Sequence, residues 1–377
     1  MKNILFISYT NFFGGAEYVL CDYLKDNHEN DIYIYTTNRK NVANGFKRVL
    51  DSDKIFTSAK MNTVSIRRNP LKSMFNILCN LYKIHQIVKK HNIKIIYGNN
   101  TLDVLLITLY KKYVNKNVKT ISHIHDILEK KLYINYIRKN SKYVDKFIVP
   151  SLATKYSLTK CDIESQKIEV IYNGISIKEH NNKPSSYLKN KYNIKKEKKL
   201  ICCIGQVCKR KRQDIFIDIV NYLNRKQNKY VGIIIGQITD QEYYEKIRKS
   251  FNENIIFLGQ LDRADIQEKI YTEIDYLLLT SDRDPLPTVI IEAMSKGVIV
   301  IARNVDGVSE IITDKIDGLI FSYQINIEEI DKNFKYIERL SDNDVCLMKK
   351  NAIKKIQIKF NSAKKEMLIN SIIKNLN

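Results

Sequence analysis

The chain has 377 residues, 44% of them hydrophobic, and a formal net charge of +22. That length suggests two domains, since one domain usually takes ~100–200 residues. No low-complexity tract points to disorder, and no run approaches the ~18–20 apolar residues that cross a bilayer. In chain order, residues 3–9 (NILFISY) read as a buried strand. The apolar opening lacks a small-residue cleavage site, so it is read as that strand and not as a leader. Residues 14–27 predict a helix with Val19, Leu20 and Leu24 on one side, and residues 31–37 a second strand. A long amphipathic helix follows over 73–92, then strands over 93–100, 119–127, 146–151 and 167–175.

The second half restarts the pattern. Strands are expected over 199–207, 230–237, 254–260, 274–281, 297–303 and 317–321, with helices between them, including 212–226. Continuous apolar strands alternating with helices imply parallel sheets covered on both faces. The expected fold class is therefore α/β, with two Rossmann-like doubly wound domains. The boundaries read as 1–180, a polar lysine-rich linker over 181–198 containing Pro184, 199–360, and a closing amphipathic helix over 361–377 that returns to the first domain.

Seven cysteines, none in a C-x-x-C pair, point to reduced thiols and a cytoplasmic location. Cys202, Cys203 and Cys208 fit no zinc spacing and read as part of a core strand. Residues 60–119 hold twelve Lys and Arg against one acid, Asp103. The cluster has two readings: a face for an anionic partner, or solvated helices in a lysine-rich composition.

Ligands of open α/β sheets bind beyond the carboxyl ends of the strands. Four loops stand there. Gly14 and Gly15 follow the first strand and open a helix, which suits either a phosphate or a plain tight turn. His123 and His125 alternate in an extended segment and are expected to face opposite sides, with His125 the cleft candidate. Residues 205–214 (GQVCKRKRQD) place four cations before a helix, where they oppose the helix dipole. An anion held between them, or a solvated loop, would account for that. Asp284 precedes the helix expected over 288–296, and Glu292 lies about one turn in. Both acids are expected to face one pocket, with Gly307 and Glu310 on the same rim.

These loops, in this order, resemble the GT-B glycosyltransferases, and within them the retaining enzymes of glycosyltransferase family 4. The resemblance is strongest over 274–321, where Glu292-Ala293-Met294 and Gly297 stand as in the family and Asp284 replaces its first Glu. "GGAE", "VPS", "YNGI" and "KRKRQD" support it. The resemblance implies sugar transfer from a nucleotide-sugar donor, a UDP-sugar above all, at an interdomain cleft. It implies His125 near the transferred sugar and Asp284 on its hydroxyls. Gly14, Gly15 and Lys211 would face the donor diphosphate, Glu292 the ribose, and Glu310 the nucleotide. Gln206 stands where the family often has an arginine, with Arg210 or Arg212 as its substitute.

No metal and no further cofactor are implied, and the Asp282-Arg283-Asp284 triplet is not read as a metal motif. The expected product is an envelope polysaccharide or glycolipid. Its hexosyl or N-acetylhexosaminyl unit would pass to a saccharide acceptor, lipid-linked, at an anionic membrane surface on the cytoplasmic side. Nucleic acid is not an expected partner. The alternatives are a GT-B epimerase or phosphorylase, and a non-catalytic basic protein that binds membrane or nucleic acid.

Overall fold

The computed structural model describes residues 2–63, 70–176 and 186–376. Two units emerge from its contacts: Met1–Ser176 with Ser362–Asn377, and Ile177–Asn361.

In the first unit the strands are β1 (Asn3–Ser8), β2 (Asp31–Thr37), β3 (Ile55–Ser58), β4 (Ile95–Gly98), β5 (Lys119–His123), β6 (Lys146–Val149) and β7 (Ile168–Val170). They form one sheet in the order β3-β2-β1-β4-β5-β6-β7. Every pairing is parallel. In β1, Leu5 and Ile7 enter one apolar core while Ile4 and Phe6 enter another. Alternate side chains thus bury both faces, as a parallel sheet with helices on each side requires. β3 has no counterpart in the sequence reading. Its four residues are all half-buried at the sheet edge, so they carry no continuous apolar run. The long helix begins at Pro70, three residues earlier than the periodicity predicts. Proline suits a first helical turn because it lacks only an N–H that has no partner there.

The last helix, Ser362–Asn375, belongs to this first unit. Its Ile369 and Ile373 share a core with Leu20 and Leu24. The Tyr23 hydroxyl donates to Asn370 Oδ1 at 2.8 Å.

The second unit contains β8 (Lys199–Ile204), β9 (Tyr230–Ile235), β10 (Ile255–Gly259), β11 (Tyr276–Leu279), β12 (Ile299–Arg303) and β13 (Leu319–Phe321). Their order is β10-β9-β8-β11-β12-β13, again all parallel. All six residues of β9 are buried. Of the expected linker, 181–185 with Pro184 lies outside the described residues. The rest is not a free linker: Tyr187–Lys191 is a helix with Leu188 fully buried. Two N–H groups of its first turn, of Leu188 and Lys189, donate to the Glu273 carboxylate at 2.7 and 2.8 Å. A carboxylate at a helix N-terminus is favourable, but Glu273 is 85 residues away and invisible to local reading.

The order in which strands are added reverses between β1 and β4 in the first unit and between β8 and β11 in the second. Such switch points open a crevice beyond the strand ends.

Candidate functional site

The second unit's switch point is held together by its own loops. Thr280, just after β11, donates from Oγ1 to the carbonyls of Lys211 (3.1 Å) and Arg212 (2.9 Å). The Asp282 N–H donates to the Arg210 carbonyl at 2.9 Å. Arg212 adopts φ 52°, turning the chain into the helix Gln213–Gln227. Beneath these loops Gly236 has φ 156°, and a Cβ there would sit 1.8 Å from the Gly205 carbonyl oxygen. Only glycine fits that position.

Lys211 and Asp284 meet in this crevice, Nζ to Oδ2 at 2.5 Å, with side chains only 13% and 10% exposed. Asp284 is fixed further by its own N–H, which donates to Asp306 Oδ2 at 2.8 Å. Gly307 donates its N–H to the Asp284 carbonyl at 3.4 Å, so the loop after β12 does reach this rim. The basic loop has acidic partners of its own. Arg212 pairs with Asp214 and with Asp282, and Arg303 also pairs with Asp282. Arg210 donates from Nη1 to the Arg283 carbonyl at 2.8 Å. Of the four cations before the helix, Lys211 and Arg212 thus have carboxylate partners within the unit, which offsets part of the dipole conflict. Asp282 and Asp284 are each occupied by cations, on different partners.

Glu292 has partners other than those of Asp284. It lies in the helix Thr288–Ser295 and is 6% exposed. Arg263 Nε donates to its Oε1 at 2.9 Å and the Tyr271 hydroxyl to its Oε2 at 3.2 Å. Burial, and then Glu292 itself, push the Tyr271 phenol far above its ordinary range. Asp284 and Glu292 are thus each held by a cation of its own, Lys211 and Arg263. Glu310 sits half-buried in the short helix Val308–Ile311, and its carbonyl accepts from Lys359 at 2.9 Å. Gln206 is half-buried, and its carbonyl accepts from Gln213 Nε2 at 2.9 Å.

At the first unit's switch point, neither Gly14 nor Gly15 has a positive φ, so the tight turn does not demand glycine. A Cβ on Gly15 would meet nothing within 4 Å; one on Gly14 would meet the Phe12 ring at 2.8 Å. The Gly14 N–H donates to Glu17 Oε2 at 3.0 Å, the reach-back half of a capping box. Ser8 and Asn100 donate to the other oxygen of Glu17 at 3.3 and 3.1 Å. Asp103, fully buried, accepts from the N–H groups of Tyr9, Asn99 and Asn100 at 2.9, 3.1 and 2.8 Å. Burial pushes both carboxyl groups up, Asp103 far up, against the pull of these donors. The two acids tie the ends of β1 and β4 together. The third-place Glu after Gly14 was a visible signal for one of them; nothing local marked Asp103.

His123 and His125 do not face opposite sides. β5 ends at His123, and the two rings stack at 3.9 Å with a 30° angle between planes. Once the chain leaves the strand, period-two alternation no longer applies. His123 Nδ1 shares a hydrogen bond with the Tyr97 hydroxyl at 2.9 Å. The buried Nε2 atoms of both rings have no partner among the described residues. Burial first, and then the Lys365 ammonium, lower His125 to about 3; burial, His125 and Lys365 hold His123 far down as well. Lys365 comes from the C-terminal helix, is 5% exposed, and donates to the Val19 carbonyl at 3.0 Å. Its position beside this pair is a tertiary event with no sequence signature.

Residues 14–179 match the family described as Glycosyltransferase Family 4, and residues 186–355 match Glycosyl transferases group 1. The chain is a GT-B glycosyltransferase. Its fold is similar to that of Anabaena Alr3699/HepE, solved in complex with UDP and glucose, with a TM-score of 0.81 over 100% of both chains at 17% identity. The capsular polysaccharide biosynthesis glycosyltransferase CapH of Staphylococcus aureus is 25% identical over 244 residues, 61% of this glycosyltransferase and 65% of CapH. The UDP-Gal:alpha-D-GlcNAc-diphosphoundecaprenol alpha-1,3-galactosyltransferase of Escherichia coli is 26% identical over 213 residues, 54% of this chain and 53% of that one. The glycosyltransferase thus spans less than two thirds of the length of these curated relatives. Among its described residues no helix is long and apolar enough to cross a membrane, and no three His, Cys, Asp or Glu side chains converge to hold a metal ion.

Proposed function

We propose that the enzyme transfers a hexosyl or N-acetylhexosaminyl unit from a UDP-sugar to a lipid-linked saccharide, with retention at the anomeric carbon, in envelope polysaccharide or glycolipid synthesis. The observation that carries this reading is the Lys211–Asp284 pair at the switch point of the second unit. It sets a phosphate-binding cation against a hydroxyl-binding carboxylate at 2.5 Å. A carboxylate accepts hydrogen bonds from sugar hydroxyls and repels a diphosphate, so the two side chains sort the two ends of a sugar diphosphate. The UDP and glucose in the HepE structure support the choice of donor. The names of CapH and of the E. coli enzyme support a lipid-linked, envelope-directed acceptor.

In this reading Lys211, with Arg210, takes the diphosphate. Asp284 holds the sugar, Glu292 the ribose and Glu310 the nucleotide, while Gly14, Gly15 and His125 keep the roles that the family resemblance implies for them. In the transfer the bond from the anomeric carbon to the phosphate oxygen breaks, and its electron pair leaves with UDP. The acceptor hydroxyl oxygen bonds to that carbon, and its proton passes to the departing phosphate. Stabilising the charge that develops on the leaving group is the main electrostatic lever, and protein cations supply it without a metal. The enzyme would work in the cytoplasm at the inner face of the membrane.

A thermal-shift screen with UDP, GDP, ADP and their sugars tests the donor. UDP at ~100 times its Kd should stabilise the native state by about 2.7 kcal/mol. A response to GDP or ADP with none to UDP would overturn the donor assignment. Nucleotide release with a lipid extract, absent without it, tests the acceptor.

A further inference from the structure

The helix Pro70–Lys90 has inverted polarity in its first half. Its buried side there holds Ser73, Asn76 and Asn80. Asn80 Oδ1 accepts from the Tyr35 hydroxyl at 2.6 Å, which satisfies part of that buried polar face. Its solvent side holds Leu71, Met74, Phe75, Leu78 and Tyr82, exposed by 76, 58, 58, 58 and 66%. Their spacing puts all five on one stripe of the helix. Beside the stripe an apolar groove of about 500 Å³ runs toward the helix Asp103–Tyr113, lined by Ile77, Leu81, Leu109 and Tyr113 among others. A contiguous exposed apolar patch of this kind marks a surface built for contact.

The segment that carries the stripe is almost wholly cationic. Residues 60–119 carry twelve Lys and Arg, and their single acid is Asp103. Asp103 is fully buried and engaged by backbone N–H groups, so this segment presents no carboxylate to solvent. Lys60 Nζ lies 4.5 Å from the centroid of the Phe75 ring, and Lys112 Nζ 4.7 Å from that of Tyr113. Lys72, Lys83, Lys89, Lys90 and Lys116 are exposed. Long cationic side chains that flank an apolar stripe can lay their stems on it and hold their heads at a charged interface.

We propose that this stripe seats the enzyme on an anionic phospholipid bilayer, with the first half of the helix lying in the headgroup region and the lysines on lipid phosphates. An interfacial helix of this type combines an apolar face with basic flanks, and anionic lipid rewards each Lys or Arg near the surface. A second copy of the chain is a poorer occupant, since it would bring the same basic segment against itself. The inference deepens the lipid-linked acceptor reading and rests on it for its purpose, but it is measured without any substrate.

The test is co-sedimentation of the full chain with vesicles of phosphatidylcholine alone and with about one third phosphatidylglycerol. The wild type should bind the anionic vesicles about tenfold or more tightly, with the preference shrinking at high salt. The double variant Phe75→Ser/Leu78→Ser should bind them about tenfold or more weakly. Both side chains are more than half exposed, so the variant should keep its melting temperature and its response to UDP. Equal binding to both vesicle types, or equal binding by wild type and variant, overturns the proposal. So does a wild-type dimer in sedimentation velocity that the variant disperses, which would give the stripe to a second copy. Absence of a UDP response in the wild type would strike the proposed reaction and leave the vesicle result standing.

Discussion

Lys211 Nζ and Asp284 Oδ2 meet at 2.5 Å across two loops that follow different strands, 73 residues apart in sequence. Both side chains are largely buried, so neither is a surface charge that salt would neutralise. If Lys211 stabilises the leaving diphosphate, Lys211→Ala should lower kcat/KM by about 10²–10³-fold, the scale of removing one charge-stabilising donor. Asp284→Asn keeps the shape and should retain UDP affinity while transfer falls about 100-fold or more. Steady-state nucleotide release and calorimetry with UDP separate the two. Wild-type transfer by Asp284→Asn would remove Asp284 from the site.

Arg263 is the cation that Glu292 depends on. Arg263→Met leaves a buried carboxylate with Tyr271 as its remaining named donor. Loss of one partner from a fully buried pair costs about 3–5 kcal/mol. The Arg263 side chain is 28% exposed, so water can reach the gap and about 1–3 kcal/mol is expected. Glu292→Gln, which leaves no buried charge, should cost less. Urea denaturation of the two variants checks the order.

His125, held at about 3, is neutral in the folded protein down to strongly acid pH. The unfolded chain takes up a proton at this residue near pH 6.5. Between those values the unfolded state binds more protons, so stability falls as pH falls, by up to about 1.4 kcal/mol per unit. His125→Gln should reduce the slope between about pH 6.5 and 4 by that much, leave the part due to His123, and leave stability above pH 7 little changed. Parallel slopes for wild type and variant would show that His125 is not held neutral.

Gly15 and Gly236 should respond differently to alanine. A Cβ at Gly236 would lie 1.8 Å from backbone oxygen, at φ 156°. Gly236→Ala is expected to destabilise the second unit by about 3 kcal/mol or more. Gly15 faces open space, so Gly15→Ala should leave stability within about 0.5 kcal/mol of wild type. If the open backbone serves the donor, its KM should rise all the same. An unchanged KM would leave Gly15 as an ordinary first helical residue.

Local sequence carried the strand-helix alternation because burial on both faces leaves a continuous apolar run, as in Tyr230–Ile235. It also marked the loops at the strand ends, since glycine, proline and clustered cations are local signals. β3 escaped because an edge strand is only half-buried. The helix Tyr187–Lys191 escaped because its anchor, Glu273, is remote. Two parallel α/β sheets, the order of the site loops and the family to which the chain belongs are legible in the chain alone, all being properties of short-range pattern. Who pairs with whom is settled only in three dimensions. Lys211 takes Asp284, Arg263 takes Glu292, and His125 stacks on His123. Buried charges choose partners by three-dimensional proximity and desolvation, and neither leaves a trace in spacing along the chain.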